Sequence, residues 1–127
     1  MIKIAISTNE APRPVGSYSQ AISTKNFIFI SGQIGLEPKS GKMCSKTFEK
    51  QLNQVFLNLS AICKGSGHTV NDIAKLTVYL SDLDNTQALN LAIPKFFAEP
   101  YPARAVIGVS NLPLEALVEI EAIIEKV

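Results

Sequence analysis

The sequence contains no tryptophan, one histidine, two cysteines and only two arginines among 127 residues. Cys44 and Cys63 have neither a Cys-x-x-Cys spacing nor a histidine beside them, so they indicate neither a zinc site nor a disulfide framework. Free thiols are typical of a reducing compartment, and we therefore expect a cytoplasmic protein. The sequence also lacks a glycine-rich phosphate loop and any cluster with metal-ligand spacing, so no motif indicates a phosphate or metal site.

Long apolar runs and runs of one charge are missing too. No apolar stretch is long enough to span a membrane, and the chain begins without the apolar core of a signal peptide. The formal net charge is +1, from 12 basic and 11 acidic residues scattered along the chain. Without a basic stripe, we do not expect nucleic acid as the main partner. Apolar residues make up 46%, enough for one packed core, so we predict a single domain over residues 1–127.

The apolar periodicity predicts two helices between groups of strands. The first helix is expected from a cap at Ser45 to about Lys64, since apolar residues recur there at steps of three and four: Phe48, Leu52, Val55, Leu59 and Ile62. The second is expected over 84–98, with Pro94 kinking or locally breaking it. Strands are expected at 2–6, 18–23, 26–31, 72–80, 104–109 and 117–125. This order predicts an α+β sandwich, a mixed sheet with two helices on one face.

The last strand carries two glutamates, Glu119 and Glu121, on one face. Because side chains alternate along a strand, the opposite face should turn its apolar residues toward the helices: Val118, Ile120, Ala122 and Ile124. Leu117 and Ile123 share the face of the glutamates. A mixture of carboxylates and large apolar side chains indicates a cleft or a subunit interface rather than plain solvent. A partly buried Glu119 would have a raised pKa and could act as a general acid or base.

Arg104 is the second unusual charge, because it follows Pro102-Ala103 and leads into the apolar strand 105–109. Its planar guanidinium suits a carboxylate, so Arg104 could anchor a small acidic ligand. Alternatively, it could form a structural ion pair with Glu119 or Glu121, and the pattern alone leaves both interpretations open.

Taken together, these residues resemble the RidA (YjgF) family of enamine/imine deaminases over nearly the whole chain. The strongest stretch is Pro102-Ala103-Arg104 with an apolar strand, followed by Val118-Glu119-Ile120-Glu121. Three further segments fall in the family's order: Gly16-Ser17-Tyr18-Ser19-Gln20, Ile30-Ser31-Gly32-Gln33-Ile34, and Asn90 before Phe96-Phe97.

The resemblance implies a chorismate-mutase-like fold, a homotrimer, and a cleft at each subunit interface. It implies 2-aminoacrylate or 2-aminocrotonate as substrates, in their 2-imino acid forms, hydrolysed to 2-keto acids and ammonia without a cofactor. By the same resemblance, Arg104 binds the substrate carboxylate and Glu119 positions or activates the attacking water. Tyr18, Ser31 and Asn90 then line the pocket.

Three positions depart from the family's pattern. Val106 stands where many members have cysteine, which leaves only its backbone to donate to a substrate. The common Gly-Pro-Tyr is Gly-Ser-Tyr here, which we expect to loosen the loop before Tyr18. Pro94 cannot donate to the carbonyl of Asn90, and we expect this to alter the pocket rim and the range of substrates.

Two other functions are considered. A ribonuclease should have a basic groove with stacking aromatics or a histidine pair, and this chain has one histidine and no basic run. A protein that only binds 2-keto acids would use the same Arg104, and Glu119 is the residue that distinguishes it from an enzyme.

Overall fold

A computed structural model of the protein describes residues 2–126. Three short 3-10 helices, at Val70–Asp72, Leu83–Asn85 and Pro113–Glu115, accompany the main elements. Those elements are, in chain order, β1 (Ile4–Ile6), β2 (Ala21–Ser23), β3 (Phe27–Gln33), α1 (Phe48–Gly65), β4 (Ile73–Leu80), α2 (Thr86–Phe96), β5 (Ala103–Gly108) and β6 (Val118–Glu125).

The six strands form one mixed sheet in the order β1-β2-β3-β6-β4-β5. All neighbours are antiparallel except β4 and β5, which run parallel. A parallel pair needs a crossover connection, and α2 supplies it between these two strands. The α+β class and the mixed sheet with two helices are therefore as predicted.

Both helices pack on the same face of the sheet. On β6, buried residues alternate with more exposed ones, so the predicted inward residues Val118 and Ile120 are fully buried. Phe56 of α1 joins the two helices, because its ring centroid lies 4.5 Å from that of Phe96 and 5.5 Å from that of Phe97. Neither α1 nor α2 lies over the opposite sheet face, which exposes large apolar side chains, Phe29 among them.

Both helices differ in detail from the predictions. Thr47, not Ser45, is the residue that precedes α1, and the Ser45 hydroxyl instead accepts a hydrogen bond from the backbone N–H of Thr47 at 3.1 Å. The predicted second helix is shorter, since Leu83–Asn85 is a separate 3-10 turn. Pro94 does not break α2, which continues to Phe96.

Two buried amides on α1 fix the chain that follows β3. Asn58 donates to the carbonyl of Leu36 at 3.0 Å and to that of Ile34 at 3.3 Å. Gln51 donates to the carbonyl of Ser45 at 2.9 Å and accepts from the backbone N–H of Leu117 at 2.8 Å. Because buried polar groups are costly unless they are paired, these bonds hold segment 34–36 and the start of β6 in one arrangement.

Within residues 2–126, neither helix is long and apolar enough to cross a membrane.

Candidate functional site

A bulge in β3 shapes the central part of the sheet. Ile30 pairs with Ala122 and Gln33 with Ile120, so two residues of β3, Ser31 and Gly32, lie opposite a single residue of β6. The extra residue redirects the chain locally, as bulges beside functional sites often do.

Gly32 lies directly against the carboxylate of Glu119. A Cβ added to Gly32 would fall on Oε2 of Glu119 and lie 3.0 Å from its Cδ. Only a residue without a side chain leaves this carboxylate in its position. Gly32 therefore belongs to the site, although in the sequence it is marked only as part of a motif.

Glu119 projects into a cleft of about 720 Å³, a size typical of small-molecule sites. The cleft is also lined by Tyr18 and Ser31, as predicted for one pocket. Burial, and to a smaller extent the charge of Glu121, raises the pKa of the half-buried Glu119 carboxyl above its ordinary value. Such a carboxyl is suited to exchange a proton near neutral pH.

The wall that carries Tyr18 is tied down by backbone and side-chain hydrogen bonds. The hydroxyl of Ser31 donates to the carbonyl of Ser19 at 2.6 Å, and the backbone N–H of Ser31 donates to the carbonyl of Gln20 at 2.9 Å. The backbone N–H of Tyr18 donates to the carbonyl of Gly16 at 2.9 Å. Ser31 thus uses its hydroxyl hydrogen within the protein, so toward a ligand its hydroxyl oxygen can act only as an acceptor.

Arg104 and Asn90 lie in a different cavity. This second cavity measures about 290 Å³ and is formed by β5 and α2, with Leu76 and Pro94 among its lining residues. Arg104 is exposed, because β5 is the edge strand of the sheet. Asn90 and Pro94 share this cavity with Arg104, as the expectation about the pocket rim requires.

The sheet register puts Arg104 and Glu119 on opposite faces. Arg104 is aligned with Leu76 of β4, which is fully buried under the helices. Glu119 is aligned with Tyr79, three residues further along the same strand. Residues an odd number of positions apart in a strand point to opposite faces, so one copy of the chain cannot direct both side chains at one small ligand.

Val106 follows Arg104 on the helix side. It is aligned with Val78 in the register and packs against the hydrophobic core, so it is half-buried. Its side chain lines neither of the two cavities described.

The structural ion pair considered for Arg104 is absent. Among residues 2–126 the one ion pair within 4.0 Å joins Lys64 to Glu10. Glu121 instead accepts a hydrogen bond from the Tyr79 hydroxyl at 2.8 Å, which raises the pKa of that tyrosine. The guanidinium of Arg104 is therefore available to a ligand.

Two further residues of the Glu119 cleft were overlooked in the sequence. Arg13 lines it, between Pro12 and Pro14. Leu114 is exposed at its edge with a φ of 55°, a left-handed conformation that is strained for a bulky side chain. Arg13 could have been found, because it is the only arginine besides Arg104. No sequence signal marks the backbone of Leu114.

The described part of the chain contains no group of three or more His, Cys, Asp or Glu residues that could hold a metal ion.

A protein-family model described as Endoribonuclease L-PSP matches residues 8–126 of this chain. The chain therefore belongs to this family, the RidA (YjgF) family, and the resemblance found in the sequence is confirmed.

Relatives resemble the chain over nearly its full length. A RutC family protein of Pyrococcus horikoshii is 43% identical, with 98% of this chain and 99% of that protein covered. The 2-iminobutanoate/2-iminopropanoate deaminase of Dermatophagoides farinae is 37% identical, with 96% and 95% covered. The crystal structure of RidA from an Antarctic Psychrobacter species superposes with a TM-score of 0.93 at 41% identity, with 97% and 99% covered.

Proposed function

We propose that the protein hydrolyses reactive 2-imino acids, the tautomers of 2-aminoacrylate and 2-aminocrotonate, to 2-keto acids and ammonia. The observation that carries this proposal is the Glu119 carboxylate, half-buried in a small-molecule cleft with a raised pKa. The deaminase name of the Dermatophagoides relative supports the choice of reaction. The proposal includes a cytoplasmic location, since both cysteines are free thiols.

In the proposed reaction Glu119 acts as the general base. It removes a proton from a water molecule while the water oxygen bonds to the imine carbon, and the electrons of the C=N bond move to nitrogen. Glu119 then returns the proton to the nitrogen. Glu119 next takes the proton of the new hydroxyl and passes it to the amino nitrogen, so that the C–N bond breaks and ammonia leaves a 2-keto acid. Every step is a proton transfer, an addition to an electrophilic carbon or the loss of ammonia, so no cofactor is needed.

Arg104 is proposed as the anchor of the substrate carboxylate. Its guanidinium has no ion-pair partner among the described residues, and it can form two parallel hydrogen bonds to a carboxylate. Asn90, in the same cavity, would assist the binding, and the backbone at Val106 would donate to the substrate. Tyr18 and Ser31 would line the reacting end, beside Glu119.

Because Arg104 and Glu119 lie on opposite faces of one sheet, we propose that each active site combines two copies of the chain. The Glu119 cleft of one copy would face the Arg104 edge of the next, in the homotrimer that the family resemblance implies. The sheet face without helices, with Phe29 and Ile107 exposed, is a suitable contact surface for such an assembly.

The activity is tested with 2-iminobutanoate generated in situ from threonine by a dehydratase, with surviving imine trapped by semicarbazide. Wild-type protein should speed keto acid release and reduce the semicarbazone, and Arg104→Ala should not. A wild-type result equal to the reaction without protein would contradict the proposal.

The two-copy site is tested by mixing two inactive variants. Arg104→Ala keeps Glu119, and Glu119→Gln keeps Arg104, so a mixed oligomer would contain some sites with both residues intact. In a random equal mixture, about half of the sites receive an intact Glu119 and about half receive an intact Arg104. About one quarter of the sites therefore contain both residues, and about one quarter of the wild-type activity should return. Restoration requires unfolding and reassembling the variants together. No recovery in a mixture shown by mass spectrometry to contain both chains would contradict a shared site.

A protein that only binds 2-keto acids is the main alternative, because it would use the same Arg104. Glu119→Gln distinguishes the two functions, since an amide cannot accept the proton of water. If the protein is an enzyme, this variant should lose deamination and still bind 2-ketobutanoate in calorimetry.

The description of the matching family model names an endoribonuclease, which makes RNA cleavage a second alternative. The single histidine, His68, lies in the turn after α1, where its Nδ1 is 3.0 Å from the carbonyl oxygen of Ser66. It does not line the Glu119 cleft. Incubation of the protein with RNA tests this function, and cleavage that survives in Glu119→Gln would place it outside this cleft.

A further inference from the structure

Arg13 sits where the Glu119 cleft continues into a second groove. The groove measures about 460 Å³ and shares its lining with the cleft at Pro12, Arg13 and Val15. Lys39 lies further along it. A ligand with its reacting carbon near Glu119 could therefore extend past Arg13 toward Lys39.

The backbone at Arg13 is held in place from both sides. Proline fixes φ at Pro12 and Pro14, and a residue that precedes proline is restricted to extended conformations. The side-chain amide of Gln20 donates to the carbonyls of Pro12 at 2.9 Å and of Ala11 at 3.3 Å. Arg13 is thus an exposed cation on a rigid support, which lowers the entropy that a ligand must overcome to bind it.

Among residues 2–126 the one ion pair within 4.0 Å involves neither Arg13 nor Lys39. Lys39 also lines a third groove, together with Glu10 and Glu37, so carboxylates lie near its ammonium group. Arg13 lines no groove that contains Glu10 or Glu37. The guanidinium of Arg13 is therefore the cation of this region that is available to a ligand carboxylate.

We propose that Arg13, with Lys39 beyond it, forms a subsite for a second carboxylate, so that this site accepts 2-imino acids with acidic side chains. This inference rests on the proposed function. Arg104 of a neighbouring copy would bind the carboxylate next to the imine, and Arg13 would bind the one at the end of the side chain. The wide guanidinium suits this role better than an ammonium group.

The test compares two five-carbon imines that differ only in the distal carboxylate. An L-amino acid oxidase with catalase generates them from glutamate or from norvaline, and semicarbazide traps what survives. For the wild type, kcat/KM should be higher for the acidic imine. Arg13→Ala should lower the ratio of acidic to neutral kcat/KM about tenfold or more, mainly through KM, because the lost contact is a charged hydrogen bond in the bound ground state.

Three variants control the comparison. Arg13→Lys should retain part of the preference, and Lys39→Ala should reduce it less than Arg13→Ala does. Lys25→Ala removes an exposed cation that does not line these grooves and should leave the ratio unchanged. An Arg13→Ala variant that loses both imines equally would overturn the subsite, since Arg13 would then bind the carboxylate common to both. A ratio that does not change would overturn it as well.

Calorimetry separates failure of the subsite from failure of the proposed function. If the wild type hydrolyses neither of these imines nor 2-iminobutanoate, the deaminase proposal fails. The subsite still stands if 2-ketoglutarate binds more tightly than 2-ketopentanoate and Arg13→Ala removes the difference. If the two keto acids bind alike, the subsite is overturned whether or not the protein is an enzyme.

Discussion

The Glu119 cleft and the Arg104 cavity differ in their position in the sheet and in how firmly the charged side chain is held by the rest of the chain. The first is central in the sheet, with its carboxylate seated against Gly32. The second lies at the edge strand β5, where Arg104 is exposed and has no ion-pair partner among the described residues. The proposed active site would combine the Glu119 cleft of one copy with the Arg104 cavity of another. Substitutions in each region should show whether the two contribute different parts of one function.

The largest effect is expected for Glu119→Gln. Loss of the general base should lower kcat by roughly 10²- to 10⁴-fold. The pKa of Glu119 is raised in the folded state, so its ionised form destabilises the fold at neutral pH. The variant should therefore unfold at the same or a higher temperature than the wild type at pH 7. The difference in unfolding temperature between variant and wild type should disappear as the pH falls below the ordinary pKa of glutamate. Calorimetric scans at several pH values measure these temperatures. A variant that unfolds at a lower temperature than the wild type at pH 7 would contradict the prediction.

The matching change in the other region is Arg104→Ala. Loss of charged hydrogen bonds to the substrate carboxylate should lower kcat/KM about 10- to 100-fold. Because Arg104 is exposed at the edge strand, the melting temperature should stay close to that of the wild type. Arg104→Lys is the control, since it keeps the charge but loses the two parallel hydrogen bonds, and it should recover only part of the activity. Full activity in Arg104→Ala would remove this cavity from the function.

Gly32→Ala tests whether catalysis depends on the exact position of the Glu119 carboxylate. The new methyl group would displace the carboxylate, and a displacement of about 1 Å can cost up to 10²-fold in rate. We expect kcat to fall about tenfold or more, with little change in the affinity for a 2-keto acid. Gly65→Ala is the matched control, because its Cβ would make only ordinary contacts, at 3.5 Å or more. Equal kinetics for both alanine variants would argue against the positioning role of Gly32.

Glu121→Gln should change the pH dependence rather than the maximal rate. The charge of Glu121 is the smaller of two causes that raise the pKa of Glu119. Its removal should lower that pKa, so the acidic limb of the kcat/KM profile should move to lower pH. Tyr79→Phe is the control, because it removes the hydrogen bond to Glu121 and leaves the charge in place. A shift toward higher pH in Glu121→Gln would show that this limb does not report Glu119.

The smallest effect is expected for Pro94→Ala, in the Arg104 cavity. Alanine can donate to the carbonyl of Asn90, which proline cannot, and both residues line this cavity. Relative rates on 2-iminopropanoate and 2-iminobutanoate should change by a few-fold, while α2 becomes more stable. An unchanged substrate profile would remove Pro94 from the specificity of the protein.

The elements with strong periodicity were predictable, and the geometry that joins them was not. The alternation of β6 correctly placed Glu119 away from the helices, because a period of two leaves no other face. The start of α1 was misplaced, since Ser45 and Thr47 are both good capping residues and only the backbone decides between them.

The sequence named residues for the proposed site, but it did not reveal that they lie in two separate cavities. Tyr18, Ser31 and Glu119 do share a cleft, and Asn90 and Arg104 share a cavity. Their placement on opposite faces depends on strand order and register, which pair β5 with β4 and β4 with β6. These are long-range pairings, and a pattern within one segment carries no information about them.

The hydrogen bonds of Gln20 have a consequence for how this protein can diverge from its relatives. Its side-chain amide contacts only main-chain atoms of the preceding loop, at Thr8, Ala11 and Pro12. The conformation of the loop therefore does not depend on which side chains at positions 13 and 15 point into the cleft. Substitutions at these two positions should leave the hydrogen bonds of the loop intact. Substrate range can therefore change in evolution through this loop with little loss of stability.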